Sequence, residues 1–305
     1  MRIVFFGTPE FAVPSLERLA REHEVALVVA QPDRPAGRGM KMQAPAVAVR
    51  ARELGLPLAQ PARIRNDEFL GEIARTGADA GIVIAYGRIL PAALLAIPRH
   101  GFFNVHGSIL PAWRGAAPIQ RAIEAGDRVT GVTIMRVDEE LDHGPILAIA
   151  TTEIGPEERT PELARRLSLS GAETMSRVLR DIESGAAIET PQDHARATFA
   201  PKIQKSEGEV RFDEPAHTIY NRFRAFDPWP GIFVTSGGEA IRLTEVRPDD
   251  ARATPRTILS IGDDVVIACA DGALRVVEMQ RPGKPRTTAG AVARGLGWRV
   301  GERVP

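Results

Sequence analysis

Asn104 and His106 stand two residues apart in the apolar run GFFNVHGSILP at 101–111. In a strand alternate side chains share a face, so the two can address one site while Val105 packs behind them. Two strong hydrogen-bonding side chains in a buried strand cost free energy unless each finds a partner. An amide and an imidazole side by side can hold a carbonyl oxygen as negative charge develops on it, and the imidazole can carry a proton. The same two residues can equally form a structural pair satisfied inside the core. Asp142, in the acidic, glycine-ended bend DEELDHG, adds a third group. A carboxylate brought beside an imidazole sets its tautomer or holds a proton-accepting water. Asp138, Glu139 and Glu140 of that bend read as a solvated turn.

None of the three is a strong covalent nucleophile, and no serine occupies a nucleophile elbow. The trio suits direct attack by an external amine on an activated carbonyl, an acyl transfer. Metal-dependent hydrolysis fits poorly: the six histidines lack HExxH spacing, and a single cysteine cannot build a thiolate site. That cysteine, Cys269 in VVIACA, reads as a small core hydrophobe, and its solitude favours a reducing compartment.

These residues need a scaffold. RIVFFG, EVALVVAQ and DAGIVIAYG, separated by helical patterns, have the rhythm of an open parallel sheet covered on both faces, a Rossmann-like α/β domain. Thr8 is placed to cap the first helix, and a further helix is expected near Asn66–Thr76. The first strand lacks GxGxxG, so no dinucleotide is inferred. PDRPAGRGMKMQAP, rich in proline, glycine and basic residues, is expected to be an irregular surface loop. Period-two alternation on both sides of DEELDHG predicts two strands joined by a functional bend, and helical patterning spans Thr160–Ser184. The stretch 185–205 reads as an extended linker. Beyond it, a helix at Ala216–Ala225 and the strand candidates GEVRF, GIFVTS, AIRLTEVR, VVIACA and ALRVVEMQ predict a small OB-like β-barrel. The expected division is thus a catalytic domain at 1–184, a linker at 185–205 and a barrel at 206–305.

A chain of 305 residues with 44% hydrophobic and 26% charged residues has enough apolar side chain for two ordinary cores. No run approaches the length of a membrane helix and the N-terminus lacks a cleavage-type tail, so a cytoplasmic protein with no membrane partner is expected. The formal net charge is zero, yet charge is segregated. Arg34, Arg38, Lys41 and Arg50 cluster with only Asp33 against them, and Arg281, Lys284, Arg286, Arg294, Arg299 and Arg303 face only Glu302. Either cluster can be a solvated surface or a phosphate contact.

The blocks GTPEFAVPSL, QPDRPAGRG, AYGRILP, NVHGSILPAWRGAAPIQRAI, TGVTIMRVDEELDHGPIL and AFDPWPG, in this order, resemble the methionyl-tRNA formyltransferase family from end to end. The resemblance implies transfer of the formyl group of 10-formyltetrahydrofolate to the α-amino group of methionine on initiator methionyl-tRNA. It implies that Asn104 and His106 bind the formyl oxygen, and that Asp142 orients His106 and helps take the amine's proton. Ser108, Ile109, Leu110 and Pro111 correspond to the folate-binding motif, with Ile109 where the family has leucine. The bend departs from the family's GLDTG, with Glu140 for glycine and His143 for threonine. Arg38 is expected to enter the acceptor arm with Arg34 and Lys41 in support, while Lys202, Lys205 and the second domain add phosphate contacts. Trp229, between two prolines, reads as a rigid corner; Trp113 and Arg114 either line the acceptor entrance or pack the turn after the strand. A monomer without a metal is expected. The same Asn–His–Asp core serves formyltransferases acting on small amines such as nucleotides or sugars, and a non-catalytic RNA-binding protein on a relict scaffold is the remaining alternative. The basic loop and second domain favour the tRNA reading.

Overall fold

RIVFFG forms β1 (Arg2–Gly7), buried from Ile3 onward, as a strand covered on both faces must be. The computed structural model describes residues 1–36 and 41–304. In chain order β1 leads to α1 (Val13–Glu22), β2 (Glu24–Val29), β3 (Arg34–Ala36), β4 (Lys41–Gln43), α2 (Ala46–Glu53), β5 (Leu58–Ala59), α3 (Asp67–Arg75) and β6 (Ala80–Ile84). Next come α4 (Ala92–Leu95), β7 (Phe102–His106), β8 (Arg114–Gly115), α5 (Pro118–Ala125), β9 (Val129–Arg136), β10 (Ile146–Glu153), α6 (Thr160–Ser184) and β11 (Phe199–Ala200). The remainder holds α7 (Ala216–Ala225), β12 (Ile232–Ser236), β13 (Glu239–Asp249), β14 (Ile258–Ile261), β15 (Val265–Ala268), β16 (Ala273–Gln280), β17 (Thr287–Thr288) and α8 (Ala289–Gly295).

Two compact units divide the chain. The first comprises Met1–Pro118, Val129–Glu153 and Leu163–Ala200; the second comprises Ile119–Arg128, Ile154–Glu162 and Pro201–Pro305. The stretch 185–205 divides between them at Ala200. In the first unit a seven-stranded sheet has the order β10-β9-β7-β6-β1-β2-β5. The five strands from β7 to β5 are parallel; β9 adds antiparallel to β7, and β10 antiparallel to β9. The Rossmann-like expectation holds. One face of this sheet buries Val4, Phe6, Leu27, Val29 and Phe102 against Phe69 and Ile73 of α3 and against Tyr86 and Leu94. Phe6 meets Phe69, Tyr86 and Phe102 edge-on, with ring centroids 5.3–6.3 Å apart. Each such ring, fully buried, stabilises the fold by roughly 1.5–3 kcal/mol.

Three local expectations change. Thr8 does not cap a helix: its hydroxyl donates to the Tyr86 carbonyl at 3.0 Å, tying the exit of β1 to the exit of β6, and the first helical turn has no side-chain cap. The proline-rich segment is not wholly irregular, because β3 and β4 pair as an antiparallel ribbon with Pro35 opposite Met42. A two-stranded ribbon leaves each strand an open edge, where proline's missing N–H costs nothing. GEVRF is not a strand; it contributes one isolated bridge, Glu209 to Phe233. By contrast, α3 follows its sequence signal closely, with Asn66 Oδ1 capping the Phe69 amide at 3.2 Å.

The second unit is a six-stranded antiparallel sheet with the path β12-β13-β16-β15-β14 and β17 on β16. Its pairings form an open path, so the barrel expectation holds at the level of an antiparallel sheet. Among the described residues no helix is long and apolar enough to cross a membrane.

Candidate active site

Asn104 pairs with Met135 and His106 with Thr133 across the β7–β9 boundary, which puts both polar side chains on one face near the C-terminal end of β7. Val105 between them is 4% exposed. Because β9 runs antiparallel to β7, the bend after Arg136 starts at the far end of β7 and must double back over the sheet. It is pinched where Arg136 N donates to Pro145 O at 2.9 Å. Gly144 is required there: a Cβ would stand 2.1 Å from the Arg136 carbonyl oxygen. The returning chain carries Asp142 at φ +49°, left-handed backbone that aspartate tolerates better than most residues.

Asp142 thereby reaches both members of the pair. Its Oδ1 lies 3.5 Å from Asn104 Nδ2 and its Oδ2 lies 3.6 Å from His106 Nδ1. Both separations are at or beyond the hydrogen-bond limit, so the three groups converge without closing on one another. The carboxylate is anchored elsewhere, by Gly115 N donating to Oδ2 at 2.8 Å. His106, 5% exposed, has Nε2 2.9 Å from the Trp113 carbonyl oxygen, which can only accept. That contact assigns a proton to Nε2 and leaves Nδ1 as the nitrogen open to a further proton.

Ser108–Pro111 form a turn closed on itself. Ser108 is fully buried, its Oγ donating to Ala112 O at 2.6 Å, while Thr133 Oγ1 donates to Ser108 O at 2.7 Å and accepts from Leu110 N at 3.1 Å. Leu110 is buried as well, which leaves Ile109 and Pro111 as the partly exposed members of the motif. A separate cavity of about 540 Å³ lies by the loop leaving β6, lined by Arg63, Ile64, Arg65, Asn66, Arg88 and Ile89. β6 and β7 are parallel neighbours, so this loop and the turn after His106 leave the same edge of the sheet.

Residues far along the chain complete the site. β8 pairs with β11, Arg114 opposite Phe199 and Gly115 opposite Ala200. Gly115, at φ +125°, admits no side chain, since a Cβ would meet Ala200 O at 2.7 Å. Arg114 is buried and packs the turn: its Nη2 donates to Gln192 Oε1 at 2.6 Å and contacts His194 Nδ1 at 2.9 Å. Gln192 Nε2 in turn donates to the carbonyls of Asp142 and Gly144 at 3.0 and 2.7 Å. His143 stacks on His194, with centroids 4.0 Å apart, and places Nδ1 2.7 Å from Asp138 Oδ2.

The relatives of the chain decide its family. Residues 1–179 match the formyl transferase family and residues 202–297 match the formyl transferase C-terminal domain. The chain belongs to the formyltransferase family. It is 46% identical to the methionyl-tRNA formyltransferase of Sorangium cellulosum, with 96% of each chain covered. Among solved structures it resembles WlaRD, a sugar 3N-formyl transferase, at TM-score 0.69 and 16% identity over 93% of this chain and 99% of that one. It also resembles HypX from Aquifex aeolicus in complex with tetrahydrofolic acid, at TM-score 0.64 and 21% identity, spanning half of the HypX chain. At those identities the two structures speak for the fold.

In this formyltransferase the basic positions separate into engaged and open groups. Arg34, Lys41, Lys202 and Lys205 are all exposed, the first two on the β3–β4 ribbon and the last two in the second unit; Arg38 lies outside the described residues. Arg50 is held by Glu17 and Glu53, each at 2.7 Å. In the C-terminal cluster Arg281 is paired with Glu239 at 2.9 Å and Arg294 donates to Gly262 O, whereas Lys284, Arg286 and Arg299 are exposed. Trp229 is 55% exposed between the cis Asp227–Pro228 and Trp229–Pro230 bonds.

Gly115, Thr133, Gln192 and His194 escape a reading of the sequence. Gly115 could have been found, as a glycine directly after the Asn–His strand and its turn. Gln192 lies in a stretch without periodicity, and no local signal marks it.

Proposed function

We propose that this formyltransferase moves the formyl group of 10-formyltetrahydrofolate to the α-amino group of methionine on initiator methionyl-tRNA, acting as a monomer. The observation that carries this reading is the convergence of Asn104, His106 and Asp142 on one face of β7, in a chain similar along its length to methionyl-tRNA formyltransferases. Asn104 Nδ2 is a donor suited to the formyl oxygen as it becomes negative, and His106 becomes a second once its Nδ1 has taken up a proton. The amine must attack uncharged: its nitrogen bonds to the formyl carbon, the bond from that carbon to N10 of the folate breaks, and the proton the amine loses passes to the departing N10. His106 Nδ1 is the open acceptor for that proton in transit, and Asp142, 3.6 Å away, stabilises the imidazolium. Gly115 N holds the carboxylate by Oδ2 beside His106.

The folate co-substrate has a hydrogen-bonding pterin ring with an aminobenzoyl group and an anionic tail. Ile109 and Pro111 offer it partly exposed apolar surface, and the cavity with Arg63, Arg65 and Arg88 around Ile64 and Ile89 suits carboxylates. Arg34, Arg38, Lys41, Lys202 and Lys205 are the residues assigned to the tRNA phosphates.

The test is a formylation assay with 10-formyltetrahydrofolate as donor and three acceptors: charged initiator tRNA, an amino-sugar nucleotide and an aminoribonucleotide. Formylation of the charged tRNA alone is expected. Preference for either small amine would replace this reading, and inactivity on all three would return the chain to the class of RNA-binding scaffolds.

A further inference from the structure

Asp142 has to be held in two ways at once: its backbone in the left-handed region, and its carboxylate turned toward β7. Gly115 N grips the carboxylate, but a single hydrogen bond from a two-residue strand does not fix the backbone that carries it. A non-glycine residue at φ +49° persists only where its surroundings over-determine it. Gln192 supplies that constraint. Its two amide hydrogens go to the carbonyls of Asp142 and Gly144, at 3.0 and 2.7 Å, bracketing His143 and fixing the turn of chain that presents the carboxylate.

The orientation of the Gln192 amide is itself determined. Oε1 accepts from Arg114 Nη2 at 2.6 Å, which leaves Nε2 to face the bend, and the whole side chain is 6% exposed. Arg114 directly precedes Gly115, so Gln192 ties the backbone of the bend to the strand that grips its carboxylate. The Gln192 backbone is pinned in turn. Thr190 and Ile146 exchange two hydrogen bonds of 2.8 Å at the start of β10, and Glu189 holds Arg136 Nε at 2.9 and 3.0 Å at the end of β9. The segment 189–192 therefore lashes both ends of the bend, with Gln192 reaching between them.

Building on the acyl-transfer reading, we infer that Gln192 is a positioning residue. It holds Asp142 in register with His106 through the bend's backbone and through Arg114, without touching the reacting groups.

The full-length protein would be compared as wild type, Gln192→Met and Gln192→Glu. Methionine keeps the volume and removes all donors; glutamate keeps the shape and sets a carboxylate oxygen against two carbonyls. Thermal unfolding selects assay temperatures at which each variant is folded. Two quantities are then read: kcat with KM for charged initiator tRNA and for 10-formyltetrahydrofolate, and the hydrogen-exchange protection of the Gly115 amide, which reports whether the carboxylate stays docked. Loss of alignment predicts that kcat falls roughly ten- to a hundred-fold with both KM values little changed, and that Gly115 protection falls by about tenfold. Retention of wild-type kcat, or of wild-type Gly115 protection, in folded variants would overturn the inference. If the wild-type protein formylates no charged tRNA, the functional reading fails and the Gly115 amide alone decides the role of Gln192.

Discussion

His106 presents Nδ1, the ring nitrogen not committed to the Trp113 carbonyl, to Asp142 Oδ2 at 3.6 Å. That gap is too long for a firm hydrogen bond and short enough for a carboxylate to stabilise a proton arriving on the ring. The catalytic step is therefore expected to depend on all three groups as a unit. Losing an oxyanion donor typically costs about 10²–10³ in rate, and His106→Ala and Asn104→Ala should each lose at least that in kcat. Asp142→Asn should lose about 10²–10⁴, the usual range for acid–base assistance. Formylation kinetics on variants with wild-type circular dichroism check this, and near-normal turnover in any of the three would remove that residue from the mechanism.

Arg34, Lys41, Lys202 and Lys205 are exposed cations, of which Arg34 donates to Gln31 Oε1 at 3.3 Å. If they meet phosphates, each neutralisation should reduce the slope of log affinity against log salt by about 0.7–0.9. Alanine substitutions should raise KM for charged tRNA and leave KM for the folate unchanged. Titration of tRNA affinity at several salt concentrations decides, and an unchanged slope would show that these side chains do not contact the backbone.

Burial pushes the Cys269 thiol up to about 12, and the residue, directly after β15, is 2% exposed. Thiolate is the reactive form, so the folded protein should resist alkylation at pH 8, and the same thiol should label promptly in denaturant. Mass spectrometry of iodoacetamide-treated protein reads the outcome. Rapid labelling of the native state would contradict the burial of Cys269.

His23 has its pKa lowered, first by burial and then by the N-terminal ammonium, against the smaller opposing pull of Glu183 and Glu22. In the window between the lowered folded value and the ordinary value near 6.5, the unfolded chain binds a proton that the folded chain refuses. Stability is therefore complete above the ordinary value and falls as pH drops through that window. Tm should decline between pH 7.5 and 5.5, and His23→Leu should flatten that decline. A wild-type decline undiminished in the variant would assign it to other groups.

Much of the scaffold was legible because its signals are local. The periodicity of Thr160–Ser184 and Ala216–Ala225 predicts α6 and α7 with the bounds the structure shows, and the continuous apolar runs predict β1, β2 and β6. Local signals mislead where a distant partner changes the outcome. Pro35 reads as a breaker until an opposing strand supplies a ribbon edge, and Thr8 reads as a cap until the Tyr86 carbonyl comes within 3.0 Å. The side chains proposed to react are visible in sequence because Asn, His and Asp are odd residues in an apolar setting. Their supports are not: Gly115 and Gln192 gain meaning only from Asp142, which is distant from both in the chain.

The pairing of Gly115 with Ala200 also makes the bend's surroundings depend on chain synthesised much later. A nascent chain that has emerged only as far as α6 already contains Asn104, His106 and Asp142, but it lacks Gln192 and the strand that lies beside Gly115. A chain ending between α6 and β11 would therefore lack both the amide that holds the bend and the strand that packs against Gly115.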